Sequence, residues 1–252
     1  MPHPEESTPA AALPTTLEAW RSRPVLLSYK DDRRSHVWLT DADQASATGD
    51  RWVVKVYRGP AWRQTLQWRL NQHPAQWERR WVDRLADMDL PVVHVAAGGF
   101  DVGQAWLVTP YRGETLHKWI RRGQLGRDAP TRHAVTRQLG QIVGRLTHAK
   151  VLHRDAKASN FVIDDKGRVR LIDVGGCRGA KGVPLLGIAL RMLATLHESV
   201  QIAAGKADDP AALPTRSDRM RCFAALRDVW DRFPDGLQHL PRNPEFRSTA
   251  DR

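Results

Sequence analysis

The residue pattern changes once along this chain, and that change limits what it can fold into. Residues 24–57 hold short runs of β-forming residues, "PVLLSY", "HVWLT" and "RWVVKVYR". A helical stretch follows, "PAQWERRWVDRLADM", in which Trp77, Trp81 and Leu85 recur every fourth residue on one side. Two more strand-like runs come next, "VVHVAAG" and "AWLVTPY". From about residue 113 helical spacing dominates. "APTRHAVTRQLGQIVGRLTHAK" places Val135, Leu139, Ile142, Val143 and Leu146 on one helix face, with Asp128 or Thr131 as the N-cap. The expectation is an α+β chain of two lobes, a small β-rich one over residues 20–110 and a mostly helical one over 111–235, with a cleft between them. Residues 1–19 and 236–252, rich in Pro, Ser, Thr and Ala or interrupted by prolines, are expected to be disordered tails.

One hairpin interrupts the helical half. "FVID" and "RVRLI" are β-like runs separated by "DKG", where Gly167 tolerates positive φ. An antiparallel hairpin returns its far end to its start, with strands about 5 Å apart. Asn160 stands just before the first run and Asp173 just after the second, so an amide oxygen and a carboxylate are presented side by side. These are hard oxygen ligands of the kind Mg²⁺ takes. Immediately upstream lies "LHRDAKASN". Together with "DVG" it matches the H-R-D-x-x-x-x-N and D-x-G pattern of phosphoryl-transfer catalytic loops.

Such chemistry also needs a cation for nucleotide phosphates. Lys55 in "RWVVKVYR" shares a strand face with Val53 and Tyr57 and is the candidate. A carboxylate to hold it is expected on the next long helix. Glu78 is the first choice, with Asp83 and Asp87 as alternatives.

Composition narrows the partners. Thirty-nine basic residues against 28 acidic ones give a net charge of +11, which attracts anionic partners such as nucleic acid, acidic membranes or phosphorylated glycans. Cys177 and Cys222 form no CxxC pair, which argues against a zinc site or a disulfide framework and suits a reducing compartment. The first residues lack the basic and apolar pattern of a signal peptide, and "VPLLGIALRMLATL" is too short to span a bilayer. A cytoplasmic location is therefore expected.

At this point the chain resembles the lipopolysaccharide kinase (Kdo/WaaP) family of the protein-kinase-like superfamily. The resemblance runs over roughly residues 50–235. It is carried by "WERRWVDRLADMDLPVVHVAAGG", "LVTPYRGETLHKWI", "LHRDAKASNFVID", "VRLIDVGGCRG" and "PTRSDRMRCFAAL". It implies a bilobal kinase-like fold and ATP-dependent transfer to a sugar hydroxyl of lipopolysaccharide core or a related glycolipid. Residue by residue, Asp155 would orient the acceptor hydroxyl and accept its proton, and Lys157 would neutralise charge on the transferred group. Asn160 and Asp173 would hold Mg²⁺, and Lys55, held by Glu78, would contact the ATP phosphates. The implied partners are ATP and an anionic glycolipid, with peripheral contact to the inner membrane; nucleic acid is not expected.

The chain departs from the superfamily in two places. No glycine-rich loop is present; "SYKDDRRSHVWLT" takes its place, with Arg33, Arg34 or Ser35 as possible substitutes. The helix acid that braces the catalytic loop in many members falls on Gly187. No A-P-E segment follows Asp173, and a helix starts near Val183, which favours a small or lipid-borne acceptor over a docked protein. Arg178 and Lys181, just beyond the D-V-G loop, would suit an anionic acceptor. Two other readings are a kinase of protein or small molecules, like RIO or aminoglycoside kinases, and a pseudokinase that binds an anionic partner.

Overall fold

The structure is a computed structural model, and it describes residues 13–41, 51–207 and 215–232. The chain divides into two compact units. The first comprises residues up to Asp83 together with Val93–Arg112, and the second comprises Arg84–Val92 and everything from Gly113.

The first unit is built on a five-stranded antiparallel sheet. Its strands are β1 (Val25–Asp31), β2 (Ser35–Asp41), β3 (Arg51–Tyr57), β4 (Ala97–Asp101) and β5 (Gln104–Pro110), in the order β1-β2-β3-β5-β4. Alternation along β3 decides what each face does. Val54 and Val56 point into a core with Trp38, Trp106 and Val108, closed by Leu17 and Trp20 of the short helix α1 (Leu17–Arg21). The sequence places residues up to 19 in a loose tail. Residues 1–12 lie outside the described set, but Leu17 and Trp20 are fully packed, so order begins earlier than composition suggests. The opposite face carries Lys55 and Tyr57. There Ala75, Ala105 and Leu107 form a second apolar cluster, with Tyr57, Trp68 and Phe100 packed around it. Helices α2 (Ala61–Arg69) and α3 (Pro74–Ala86) supply Trp68 and Ala75 to it.

The run "VVHVAAG" does not form one strand. Sheet pairing starts at Ala97, and Val92 instead makes an isolated bridge to Leu171 within the second unit. The edge strand is glycine-rich because its neighbour is bulky: a Cβ on Gly98 would lie 2.8 Å from the Leu107 side chain.

The second unit holds helices α4 (Leu116–Arg121), α5 (Gln124–Arg127), α6 (Ala129–His148), α7 (Leu185–Ala204) and α8 (Arg216–Arg232). Asp128 caps α6, its side chain accepting from the Thr131 N–H, and the face expected from periodicity is buried throughout. Glycines let α8 lie directly against α6: a Cβ on Gly140 would come within 2.2 Å of the Cys222 carbonyl oxygen. Two small sheets complete the unit. One pairs β6 (Glu114–Thr115), β8 (Phe161–Ile163) and β9 (Val169–Leu171); the other pairs β7 (Val151–His153) with β10 (Cys177–Gly179). No helix among the described residues is long and apolar enough to cross a membrane.

Candidate active site

The candidate residues fall in both units. In the first unit, Lys55 leaves the α3-facing side of β3 and its Nζ lies 2.6 Å from Glu78 Oε2. The pair is largely shielded, with side-chain exposures of 21% and 12%. Asp83 of the same helix and Asp87 in the turn after it are both exposed, and Glu78 is the carboxylate that holds the lysine. The same Oε2 accepts from the Tyr57 hydroxyl at 2.5 Å. Tyr57 escaped the sequence reading as a site residue, although its place two residues after Lys55 on one strand face was the available signal. Its ring in turn stands edge-on to His73, with centroids 5.4 Å apart. His73 Nδ1 accepts from the Ala75 N–H at the start of α3, so its other nitrogen carries the proton and faces Gln64 Oε1 at 3.3 Å. Burial pushes this imidazole below its ordinary value and keeps it neutral.

In the second unit, backbone pairing assembles the candidate catalytic loop. Strand β10 runs antiparallel to β7 in the register Cys177↔His153, and the Arg154 N–H donates to the Gly176 carbonyl at 3.1 Å. The β8–β9 hairpin pairs Phe161 with Leu171, and the Ile172 N–H donates to the Asn160 carbonyl at 2.9 Å. The residue after Ile172 is Asp173, which adopts the left-handed conformation (φ 53°) and turns the chain out of the sheet. The hairpin thus sets Asp173 beside Asn160, as the spacing predicts.

Within the loop, Asn160 Nδ2 donates to the Asp155 carbonyl at 2.7 Å and to its carboxylate at 3.3 Å. Both amide hydrogens are therefore spent inward, and Oδ1 remains an acceptor with no donor among the described residues. Lys157 Nζ lies 2.7 Å from Asp155 Oδ2, and both side chains are about half exposed. Beneath them His153, 1% exposed, accepts the Asp155 N–H on Nδ1 at 3.2 Å. Burial lowers its pKa against the upward pull of Asp173 and Asp155, so the ring is a neutral support for the loop.

The brace for this loop comes from a residue that no motif announced. Ser199 of α7 accepts the Ala158 N–H at 2.8 Å and donates to the Leu196 carbonyl at 2.8 Å. Gly187 sits a long way back along α7, and a Cβ there would meet only Val183 at 3.5 Å. Arg178 and Lys181 are exposed and pair with no carboxylate among the described residues.

Comparison with known proteins decides the family. The model of the lipopolysaccharide kinase (Kdo/WaaP) family matches residues 19–181, well over half of the chain. The chain belongs to the Kdo/WaaP lipopolysaccharide kinase family. The match includes Lys55, Glu78, the catalytic loop and Asp173, and it ends before α7, so Ser199 and the "PTRSDRMRCFAAL" helix lie beyond it. A search of curated proteins found no match. Family membership supports assignment as a kinase.

Proposed function

We propose that this Kdo/WaaP member is an ATP-dependent phosphotransferase acting on a sugar hydroxyl of lipopolysaccharide core or a related glycolipid. The observation that carries the proposal is the commitment of the Asn160 amide hydrogens to Asp155, which leaves its oxygen with no donor among the described residues, while the Ile172 N–H bond to the Asn160 carbonyl brings the next residue, Asp173, alongside. Two hard oxygen donors fit Mg²⁺, which keeps most of its shell for water and phosphate oxygens. When bound, the ion would neutralise phosphate charge. Asn160 and Asp173 are the residues that would hold it.

The other roles follow from charge and position. Lys55, oriented by Glu78 and Tyr57, binds phosphate oxygens of ATP. Asp155 orients the acceptor hydroxyl and takes its proton as the oxygen bonds to the γ-phosphorus and the bond to the ADP oxygen breaks. Lys157, paired with Asp155, supplies positive charge for the group in transit. Arg178 and Lys181, exposed and without carboxylate partners among the described residues, favour an acceptor that is already anionic. Such an acceptor is consistent with action at the cytoplasmic surface of an acidic membrane.

Thermal denaturation with and without MgATP tests the nucleotide half of this proposal. MgATP raises the Tm of wild type and much less that of Asp173→Ala. An equal shift in both, or none in wild type, refutes it.

A further inference from the structure

The turn between β1 and β2 occupies the place where related folds keep a glycine-rich phosphate loop, and Asp32 closes it. The Asp32 Oδ1 accepts the backbone N–H groups of Arg34 at 2.8 Å and Ser35 at 2.9 Å. Those bonds, with Lys30 at 3.1 Å from the other oxygen, lower its pKa to about 2. A glycine-rich turn binds phosphate through free amides of this kind. Here the chain's own carboxylate already uses them, so any anion held at this turn must be held by side chains.

Side chains suited to the task surround a hollow of about 370 Å³ within the first unit. Arg34, Ser35, Lys55, Arg58 and Arg63 line it. Lys55 is answered by Glu78, and Arg58 by Asp31. Arg34 and Arg63 meet no carboxylate among the described residues. Ser35 is 5% exposed, and its hydroxyl has no hydrogen-bond partner among the described residues. Arg63 stands in the first turn of α2, where the helix dipole disfavours a cation. The α2 N-cap, Pro60, provides no side-chain bond to the first N–H groups. Two guanidinium groups without a carboxylate, a hydroxyl without a protein partner and a helix start without a side-chain cap, all among the described residues, therefore converge on one hollow.

We propose that this hollow is an oxyanion site for a phosphate chain, in which Arg34, Arg63 and Ser35 do with side chains what a glycine-rich turn does with amides. Of the three residues of the turn region that the sequence offered, the hollow includes Arg34 and Ser35 but not Arg33. Arg63 had no sequence signal. The catalytic use of the site rests on the phosphotransferase reading; its affinity for phosphate does not. Two sources share the chemistry, the phosphate tail of a nucleotide and a phosphate group on the glycolipid acceptor.

Titration calorimetry of the full chain with inorganic tripolyphosphate tests the site without requiring turnover. The Arg34→Gln/Arg63→Gln variant weakens tripolyphosphate binding at least tenfold, because two charge-assisted contacts are lost. The control variant Arg69→Gln/Arg219→Gln, which removes two exposed cations elsewhere, changes it less than twofold. Equal weakening in both variants, unchanged affinity in the first, or no binding by wild type overturns the proposal. Steady-state kinetics then separate the sources. A raised KM for ATP alone assigns the site to the nucleotide tail, and a raised KM for acceptor alone assigns it to the glycolipid phosphate. If the protein transfers no phosphate to any acceptor, the phosphotransferase reading fails while the tripolyphosphate result still stands.

Discussion

Ser199→Ala isolates one hydrogen bond that holds the catalytic loop. The Ala158 residue is 0% exposed, and its N–H donates to the Ser199 hydroxyl at 2.8 Å. Alanine removes that acceptor from a buried backbone N–H, and the orphaned group costs about 1–3 kcal/mol. For a chain of this size each kcal/mol moves Tm by roughly 2–4 °C, so a fall of about 2–12 °C is expected. The effect should not stop at stability. Ala158 lies between Lys157 and Asn160, and a loop displaced by about 1 Å loses rate on the order of a hundredfold. Thermal denaturation and steady-state kinetics read the two effects, with kcat falling much more than the KM for ATP changes. Ser199→Thr keeps the hydroxyl and restores both. A Tm within 1 °C of wild type, together with kcat within about twofold, would refute the idea that Ser199 replaces the missing helix acid.

Two further predictions concern the second unit. Gly140→Ala drives a methyl into the Cys222 carbonyl at 2.2 Å, so it costs at least the ~1–3 kcal/mol usual for overpacking, whereas Gly187→Ala meets only Val183 and leaves Tm unchanged or raised; equal Tm values for the two variants contradict the packing argument. Asp218, 1% exposed, accepts from Thr215 and pairs with Arg132 at 3.2 Å. Burial raises its pKa, but the Thr215 and Arg132 contacts outweigh this and leave it below the ordinary 3.8. A depressed folded value contributes stability that is present above 3.8 and lost as pH falls through the folded value. Urea denaturation should therefore show wild type losing more stability than Asp218→Asn as pH drops below about 4, and parallel acid slopes would contradict this.

The parts that could be read from sequence are those set by neighbours along the chain. The β8–β9 hairpin, Asp173 at its far end and the Asp128 cap are local devices, and each stands where its spacing placed it. The buried face of α6 was legible because Val135, Leu139, Ile142, Val143 and Leu146 all meet the core. Helix α2 was not, because its pattern is inverted. Of its apolar residues Trp62 and Leu66 are exposed and Trp68 alone packs inward, while the fully buried member is polar Gln64, held by Gly59 and Ala105. The run from Val92 to Val95 misled for a related reason: Val92 and Val93 are buried without pairing in the sheet. Ser199 left no local trace, since a hydroxyl in a helix gains meaning only from the loop it meets. Arg63 likewise becomes informative only once α2 sets it over the same hollow as Arg34.

The central claim is phosphoryl transfer to a glycan hydroxyl with Asp155 as the proton acceptor. Incubation with γ-labelled ATP, Mg²⁺, deacylated lipopolysaccharide core glycan and a panel of generic proteins tests it most directly. Wild type should place label in the glycan, and Asp155→Ala should place none while still binding nucleotide. Label confined to protein, or equal glycan labelling by wild type and Asp155→Ala, would contradict the account.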